Sequence, residues 1–240
     1  MKKLNDLKIK IFADGADRDS IKKLNEKNYI KGFTTNPSLM KKAGIKDYKN
    51  FALEILKDIK NKPISFEVFS DDINEMQQQA EEISKWGKNV NVKIPITNTK
   101  KQSTIGLIEK LSSKGIICNI TAIFTLNQIR EVVKILDKST PAILSVFAGR
   151  IADTGTDPSE IMKESINISS KKPMSEVLWA STRETLNIFQ AEKIGCQIIT
   201  VPHNILDKLD YLEKNLEDFS LETVKGFYKD ALAAGYKIDT

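Results

Sequence analysis

Two hydrophobic patterns alternate along the chain. Short, almost continuously apolar runs predict β-strands at 8–13, 30–34, 64–69, 90–94, 116–120, 142–147, 176–180 and 197–201. Between them lie longer segments in which apolar residues recur every three or four positions, as on one face of an amphipathic helix. In 72–86 that face carries Ile73, Met76, Ala80 and Ile83, and in 125–136 it carries Leu126, Ile129, Val133 and Leu136. Continuous rather than alternating apolar strands are typical of a parallel sheet covered by helices.

Polar residues at the starts of the helical segments support this interpretation. The predicted N-caps are Asp71, Thr125 and Asp157. Pro158 suits the first turn of a helix, because its missing N–H has no partner to lose there. Asp17 is expected to cap the next helix rather than to act in chemistry. The single histidine, His203, is expected at a helix start, and with no second histidine it does not indicate a zinc site or a catalytic triad.

Eight strand–helix units over 240 residues, with no linker between them, predict an α/β protein with a closed (β/α)8 TIM barrel. We expect a single domain over residues 1–240. A doubly wound open sheet is the alternative, but the turn at 12–17 has one glycine rather than the three of a dinucleotide-binding loop. Two further helical stretches, near 205–216 and 221–232, exceed what the last unit needs. They predict an extra C-terminal helix, and one of them is expected to pack on a neighbouring subunit of a homo-oligomer.

Composition and charge narrow the possible functions. The 37 basic and 32 acidic residues give a net charge of +5 and are interspersed, whereas a nucleic-acid-binding protein is expected to cluster its basic residues. No apolar stretch approaches the ~18 residues of a membrane span, and the N-terminus lacks the apolar segment of a signal peptide. Cys118 and Cys196 are isolated and are expected to be buried, reduced thiols. We therefore expect a cytoplasmic protein with no nucleic-acid partner and no membrane partner, whose mild basic excess suits phosphorylated substrates.

Polar residues stand at the ends of the predicted strands. Glu67, Lys93, Asn119 and Ser145 each lie 26 positions after the one before, so a barrel would place them at equivalent heights on neighbouring strands. The other four predicted strands end near Asp14, Asn36, Ser181 and Thr200. Because barrel enzymes carry their chemistry at the carboxyl ends of the strands, these side chains predict an active site.

Lys93 is the most informative of these residues. Lysine is rarely buried unless it is paired, yet Lys93 lies between Val92 and Ile94 in an apolar strand. One interpretation is a lysine on an exposed strand edge. The other is a desolvated amine that is neutral often enough near pH 7 to attack a carbonyl and form a Schiff base. Glu67, one strand earlier, could relay the protons that imine chemistry moves. Together they indicate a class I aldolase site.

Five segments resemble the transaldolase family, in particular its small single-domain subfamily, which also includes fructose-6-phosphate aldolases. They are 32–39 (GFTTNPSL), 92–95 (VKIP), 118–124 (CNITAIF), 145–153 (SVFAGRIAD) and 180–183 (ASTR). They occur in the family's order, and the resemblance runs from about residue 11 to about residue 202. It implies transfer of a dihydroxyacetone unit between sugar phosphates, with a lysine Schiff base and without a cofactor or metal.

The resemblance implies a role for each matching residue. Lys93 would form the imine, Asp14 would act as the acid/base where the carbon–carbon bond breaks, and Glu67 and Thr121 would hold the catalytic water. The expected partners of the bound dihydroxyacetone unit are Asn36, Asn119 and Ser145. The expected phosphate ligands are Arg150, Ser181 and Arg183. Arginine suits this task because its guanidinium binds phosphate through two hydrogen bonds, although Arg150 and Arg183 could instead pair with acidic side chains at the surface.

Two positions separate the transferases of this subfamily from its aldolases. The aldolases typically have glutamine at the position of Glu67 and tyrosine at that of Phe147, so this sequence resembles the transferases. Phe147 is expected to border the substrate, with packing in the core as the alternative. Thr182 departs from the family pattern, which often has an aromatic residue there. The alternatives to a transaldolase are an aldolase that releases free dihydroxyacetone and a non-enzymatic binding protein on the same fold.

Overall fold

The computed structural model describes residues 4–238 and contains eight β-strands, all parallel. These are β1 (Lys10–Asp14), β2 (Ile30–Thr34), β3 (Ile64–Glu67), β4 (Val90–Pro95), β5 (Cys118–Ile123), β6 (Ala142–Val146), β7 (Ser175–Trp179) and β8 (Ile198–Pro202). Each strand pairs with the next along the chain, and β8 pairs with β1, so the sheet closes. The predicted (β/α)8 barrel is confirmed, and the open doubly wound sheet is wrong.

Helices connect the strands and cover the outside of the sheet. They are α1 (Arg18–Asn25), α2 (Pro37–Lys42), α3 (Tyr48–Asp58), α4 (Ile73–Ile83), α5 (Ile105–Ser113), α6 (Leu126–Ile135), α7 (Ala148–Ala152), α8 (Ser159–Ser169), α9 (Leu186–Lys193) and α10 (His203–Leu206). A short 3-10 helix, Leu4–Asp6, precedes β1. On both α4 and α6 the predicted apolar face is the buried one, as the residues Met76, Ala80, Ile129 and Val133 show.

The predicted helix starts are confirmed at Thr125 and Asp17 but are wrong at Asp71 and at Asp157, because the N-cap of α8 is Pro158. Thr125 caps α6 in a reciprocal capping box with Gln128. Asp17 caps α1 by accepting a hydrogen bond from the Ser20 N–H at 2.8 Å. The N-cap of α4 is not Asp71 but Asp72, which accepts from two backbone N–H groups of the first turn. Asp71 is used differently, because its carboxylate accepts hydrogen bonds from the next βα loop at Thr99.

The core combines apolar residues inside the barrel with those between sheet and helices. Inside, Phe12 of β1 packs with Ile143, Leu178 and Ile198 of β6, β7 and β8. The Phe12 ring lies so close to Gly32 of β2 that a Cβ there would stand 2.6 Å from it. The glycine is therefore required by close approach, and the ring fills the space between neighbouring strands.

The register places three of the four equally spaced residues at one level. Glu67 pairs with Lys93, and Lys93 pairs with Asn119. Asn119, however, pairs with Ile143 rather than with Ser145, so Ser145 lies two residues further toward the carboxyl end of its strand. Equal spacing along the chain cannot hold one level all round a barrel, because neighbouring strands are staggered as the sheet closes. The expectation of equal height is wrong for Ser145 alone.

Among the described residues, those from Asp207 to Ile238 form a second compact unit. It contains a 3-10 helix, Asp207–Tyr211, and the long helix α11 (Leu216–Ala234), which Asn215 caps and which ends at Gly235 in the left-handed conformation. This confirms the extra C-terminal helix, whereas the stretch expected to be helical over 205–216 is helical only as far as Tyr211. Glu213 has a positive φ of 62°, which interrupts a helix at that point.

The expectation of one domain over residues 1–240 stays a prediction, and residues 1–3, 239 and 240 of it lie outside the described residues. Within residues 4–238, no helix has the combined length and apolar character needed to cross a membrane.

Candidate active site

A cavity of about 110 Å³ opens at the carboxyl ends of the barrel strands. Eight of the eleven predicted site residues border it: Asp14, Asn36, Lys93, Thr121, Ser145, Phe147, Arg150 and Ser181. Thr34, Ala180 and Thr200 complete the lining. Glu67, Asn119 and Arg183 are not part of the lining, and their positions are described below.

Lys93, which borders the cavity, forms a largely buried ion pair with Glu67. Lys93 is 7% exposed, and its Nζ lies 3.3 Å from Glu67 Oε2 and 3.3 Å from the Thr35 carbonyl oxygen. Burial raises the pKa of Glu67, and the neighbouring Lys93 ammonium opposes that rise. The backbone of Glu67 is fixed as well, because the Tyr48 hydroxyl donates to its carbonyl oxygen and accepts from its N–H. This is not the exposed-edge lysine of the alternative interpretation.

Asp14 ends β1 and borders the same cavity as Lys93. Its Oδ1 accepts a hydrogen bond of 2.7 Å from the Thr34 hydroxyl, and Thr34 is in turn hydrogen-bonded to the Thr200 hydroxyl. Burial raises the pKa of Asp14, whereas Lys93, Thr34 and His203 oppose that rise. A buried carboxyl whose pKa lies above its usual value can exchange a proton with a substrate hydroxyl near neutral pH.

Asn119 is enclosed among its neighbours rather than open to the cavity. It is 0% exposed; its Nδ2 donates to Ser65 Oγ at 3.0 Å and its Oδ1 accepts from Ser145 Oγ at 2.6 Å. The three polar groups therefore form a row across β3, β5 and β6. Asn119 fixes Ser145, which does border the cavity.

Asn36, in the loop after β2, and Thr121, on β5, offer two further polar groups. The Asn36 Oδ1 caps α2 by accepting from the Leu39 N–H at 2.9 Å, which leaves the NH₂ group as the part that can donate to a ligand. The Thr121 hydroxyl is buried and makes no hydrogen bond within the described residues. Buried hydroxyls normally have partners, so this one suits a ligand or a reaction water.

The two predicted phosphate arginines occupy different environments. Arg150 borders the cavity and stacks over the Phe147 ring, with 5.4 Å between the guanidinium carbon and the ring centroid. Arg183 lies outside the lining and forms a two-point pair with Asp153, with Nε–Oδ1 and Nη2–Oδ2 distances of 3.0 and 2.5 Å. Sequence alone did not indicate Asp153 as its partner.

The remaining sequence expectations concern residues beside the site. Cys118 and Cys196 are buried and reduced, as predicted, and burial raises the pKa of each thiol to about 12. His203 begins α10, as predicted. Thr182 is buried, and its hydroxyl donates to the Thr200 carbonyl oxygen at 2.7 Å, so the unusual residue contacts β8. Within residues 4–238, no three His, Cys, Asp or Glu side chains are grouped closely enough to hold a metal ion.

Sequence reasoning missed Thr34, Ser65 and Tyr48 as supporting residues. Threonine in a strand also satisfies ordinary β propensity, so nothing in the pattern separates a structural from a functional one. The only available signal was position, because Thr34 ends β2 at the same edge as the other site residues.

Comparison with known proteins gives consistent results. The family described as "Transaldolase/Fructose-6-phosphate aldolase" matches residues 11–239. A "Probable transaldolase" of Thermoanaerobacter sp. (strain X514) is 35% identical over 231 residues, which cover 96% of this chain and 100% of that protein. A protein of the same name from Nitrosopumilus maritimus is 35% identical over 224 residues, covering 92% of this chain and 94% of that protein.

Among solved structures, a flavocytochrome b2 variant with sulfite bound matches with a TM-score of 0.58 and 14% identity. The match covers 84% of this chain and 59% of that one. At this identity the likeness shows the fold alone.

Proposed function

Because the chain belongs to the transaldolase/fructose-6-phosphate aldolase family and is a transaldolase-type enzyme, we propose that it is a transaldolase. It takes a dihydroxyacetone unit from a ketose phosphate, sedoheptulose 7-phosphate or fructose 6-phosphate. It passes the unit to an aldose phosphate, glyceraldehyde 3-phosphate or erythrose 4-phosphate, through a Schiff base on Lys93. This reaction belongs to the non-oxidative pentose phosphate pathway.

The observation that carries the proposal is the Lys93 amine, buried at the cavity with a carboxyl partner 3.3 Å away. To act as a nucleophile the ammonium must first lose a proton, and Glu67 is placed to accept it. The neutral amine then adds to the ketose carbonyl, and loss of water gives the protonated imine. A water molecule held between Glu67 and the Thr121 hydroxyl would move the protons of this step.

Asp14 acts in the carbon–carbon cleavage. Its carboxylate accepts the proton of the hydroxyl on the carbon that leaves as an aldehyde, while the electron pair of the broken bond moves into the imine and forms an enamine. When the acceptor aldehyde arrives, the enamine carbon attacks it and Asp14 returns the proton to the new hydroxyl. Hydrolysis of the imine then frees Lys93.

Arg150, Ser181 and Arg183 provide the phosphate site in this proposal. Arg150 and Ser181 border the cavity, and Arg183 lies on the same loop as Ser181. The side chains of Arg183 and its partner Asp153 are both about half exposed, so the pair is open to exchange for a phosphate.

The setting follows from the same family membership and from α11. We place the enzyme in the cytoplasm, working without a cofactor, a nucleic acid or a membrane. We also propose a homo-oligomer, since α11 contains no buried residue and exposes seven large apolar side chains, which are Leu216, Phe219, Leu221, Val224, Phe227, Tyr228 and Leu232. Apolar surface of this extent marks an interaction site.

Borohydride trapping tests the proposal. The enzyme is incubated with fructose 6-phosphate and reduced, and the modified lysine is located by peptide mass spectrometry. We expect a reduced three-carbon adduct at Lys93, no adduct in Lys93→Gln, and an unchanged adduct in the control Lys85→Gln, which removes an exposed lysine. An adduct on a different lysine, or none, would contradict the mechanism, as would loss of activity on treatment with EDTA.

The second candidate is an aldolase that releases free dihydroxyacetone, and Phe147 separates the two. A transferase must keep the enamine from being protonated until the acceptor arrives, and the phenyl ring at the cavity has no hydroxyl to order a protonating water. We expect wild type to make sedoheptulose 7-phosphate from fructose 6-phosphate and erythrose 4-phosphate much faster than it releases dihydroxyacetone. Phe147→Tyr should shift the product ratio toward release, with Phe147→Leu as the control for ring loss. Free release by wild type would favour the aldolase, and an unchanged ratio in an active Phe147→Tyr variant would exclude this residue as the cause.

A further inference from the structure

Two threonine hydroxyls meet across β1 and support the carboxyl of Asp14. Thr34 lies on β2, where it is the register partner of Asp14, and Thr200 lies on β8, where it pairs with Phe12. The strands β2 and β8 are the two neighbours of β1, so the two threonines flank the strand that carries Asp14. The hydroxyls are hydrogen-bonded to each other, and Thr34 donates to Asp14 Oδ1 at 2.7 Å.

The number of available protons fixes the direction of this chain. Each threonine hydroxyl has one proton to donate. When Thr34 donates to the carboxylate, its own oxygen can only accept from Thr200, so both protons point toward Asp14. A neutral Asp14 that donated through Oδ1 would have to reverse both hydroxyls, and one protonated on Oδ2 would accept the Thr34 hydrogen bond through a weaker, uncharged oxygen. The arrangement therefore favours a charged Asp14 that accepts hydrogen bonds.

The position of Thr200 is itself fixed. Its carbonyl oxygen accepts a hydrogen bond of 2.7 Å from the Thr182 hydroxyl, which ties the backbone of β8 to the loop after β7. Both Thr34 and Thr200 also border the cavity, so the hydroxyl pair lies at the surface that a substrate would contact. The two threonines are thus buried on β2 and β8, and Thr34 contacts the Asp14 carboxyl.

We propose that Thr34 and Thr200 are positioning residues that hold Asp14 as a charged proton acceptor aimed at the substrate hydroxyl. This inference rests on the proposed function, because it assigns to Asp14 the proton transfer of the carbon–carbon cleavage. Without the hydroxyl pair, Asp14 would take up a proton at higher pH and would lose its role as base in part of the neutral range.

Other charged groups also act on Asp14 and have to be separated from the hydroxyl pair. Lys93 from β4 and His203 from α10 both favour the charged carboxylate, whereas Glu67 from β3 repels it. None of these groups is altered when a threonine is replaced by valine, which has the same shape and lacks the hydroxyl. A change in Thr34→Val or Thr200→Val is therefore due to the lost hydrogen bond.

The test measures the protonation of Asp14 directly, without relying on activity. The protein is labelled with ¹³C at the aspartate carboxyl carbons, and the Asp14 signal is assigned from its loss in Asp14→Asn. Titration by NMR is carried out on wild type, Thr34→Val, Thr34→Ser, Thr200→Val and Thr200→Ser. Thr140→Val serves as the matched control, because Thr140 is also buried but its hydroxyl bonds to the Ser112 carbonyl oxygen.

We expect Thr34→Val to raise the proton affinity of Asp14 roughly tenfold, as loss of one hydrogen bond to a charged acceptor predicts. Thr200→Val should raise it less, and both serine variants should return it toward the wild-type value. When kcat/KM for sugar cleavage is measured against pH, its decline on the acidic side should move to higher pH in the valine variants. A purely structural role would lower kcat/KM at every pH and leave that decline in place.

Three results would overturn the proposal. The first is an unchanged Asp14 titration in folded Thr34→Val. The second is a serine variant that titrates like its valine counterpart, which would point to lost packing rather than a lost hydroxyl. The third is a Thr140→Val variant with the same effect on Asp14. If wild type lacks transferase activity, the proposed function fails, but the NMR titration still decides the role of the two threonines.

Discussion

Two carboxyl groups in this site share one cation. Glu67 is paired directly with Lys93, and the same ammonium opposes the effect of burial on Asp14. Once Lys93 becomes neutral to attack a carbonyl, the two carboxyls lose their common partner, and their mutual repulsion favours protonation of one of them. The proton that leaves the lysine is thus retained within the site, ready for the loss of water and for the cleavage step.

The burial of Asp14 predicts that this residue lowers the free energy of unfolding at neutral pH, where its carboxyl is charged. Burial raises its folded pKa above the usual 3.8, so the folded state binds the proton more tightly than the unfolded state. The contribution of Asp14 to stability is therefore greatest below about pH 3.8, and it is lost as the pH rises through the pKa of the folded state. At pH 7 we expect Asp14→Asn to be more stable than wild type by about 1 kcal/mol in urea unfolding, with the difference shrinking at pH 4.

Asp17 is the matched control, because its pKa is shifted the other way. Hydrogen bonds from the Ser20 hydroxyl and from the Ser20 N–H lower the pKa of Asp17, so its charge favours the folded state at neutral pH. Asp17→Asn should therefore lower stability at pH 7. If both asparagine variants changed stability in the same direction, the effect could not come from the titration of Asp14.

Arg150 and Arg183 are expected to make the enzyme select phosphorylated over unphosphorylated sugars. Replacing Arg150 or Arg183 with alanine should lower kcat/KM for phosphorylated sugars by the equivalent of about 2–4 kcal/mol, by analogy with removing one partner of a charge pair that the bound substrate would bury. Imine formation with free dihydroxyacetone, followed by borohydride trapping, should be largely retained. Arg130→Ala, on the exposed face of α6, is the control and should change neither. Equal losses for phosphorylated and unphosphorylated substrates would refute a phosphate role.

The helix after β6 and the loop after β7 are in direct backbone contact, which leaves no room for a side chain at Gly149. A Cβ on Gly149, in α7, would stand 1.6 Å from the Ser181 carbonyl oxygen. Ser181 has a positive φ of 64°, which is rare outside glycine and leaves this loop little freedom to move away. The backbone contact between α7 and the loop after β7 therefore fixes Ser181 and, with it, the phosphate side of the site.

Gly149→Ala adds only one methyl group, but we expect it to disturb both the stability of the protein and the phosphate side of the site. We expect a loss of roughly 1–3 kcal/mol in unfolding free energy from overpacking, together with a larger loss of kcat/KM for phosphorylated than for unphosphorylated substrates. The control is Gly106→Ala in α5, where a Cβ would meet nothing within 4 Å, so alanine should be neutral or slightly stabilising. A fully active and stable Gly149→Ala variant would show that the loop adapts.

Local patterns predicted the strands and helices well, but not the contacts between them. The eight apolar runs located every strand because burial on both faces leaves little ambiguity. The stagger that displaces Ser145 from the level of Asn119 arises only when the barrel closes. Likewise, the link from Thr200 to Thr34 joins residues 166 positions apart, and the pairing of Arg183 with Asp153 depends on the adjacency of two loops. Such contacts have no periodic signal in a single sequence.

At the scale of the whole molecule, the exposed apolar side chains of α11 need an explanation. Leu221, Val224, Tyr228 and Leu232 recur at three- and four-residue spacing and form one stripe, with 51–67% of each residue exposed. Such a stripe on a 19-residue helix normally packs against another surface, because helical stability in proteins comes largely from burying an apolar face. We expect a second copy of the chain to provide that surface, as the proposed homo-oligomer requires.

Charge substitutions on the stripe should dissociate the oligomer. Val224→Glu combined with Tyr228→Glu places two charges on the stripe, and burying them without partners would cost several kcal/mol. Sedimentation velocity should show a smaller species than wild type at the same micromolar concentration. The Tm of wild type should rise with protein concentration, whereas that of the double variant should not, because only an associating protein gains stability by mass action. Lys229→Glu, an exposed charge reversal on the same helix, is the control and should sediment like wild type. A monomeric wild type, or a double variant that keeps the wild-type mass, would show that α11 does not join subunits.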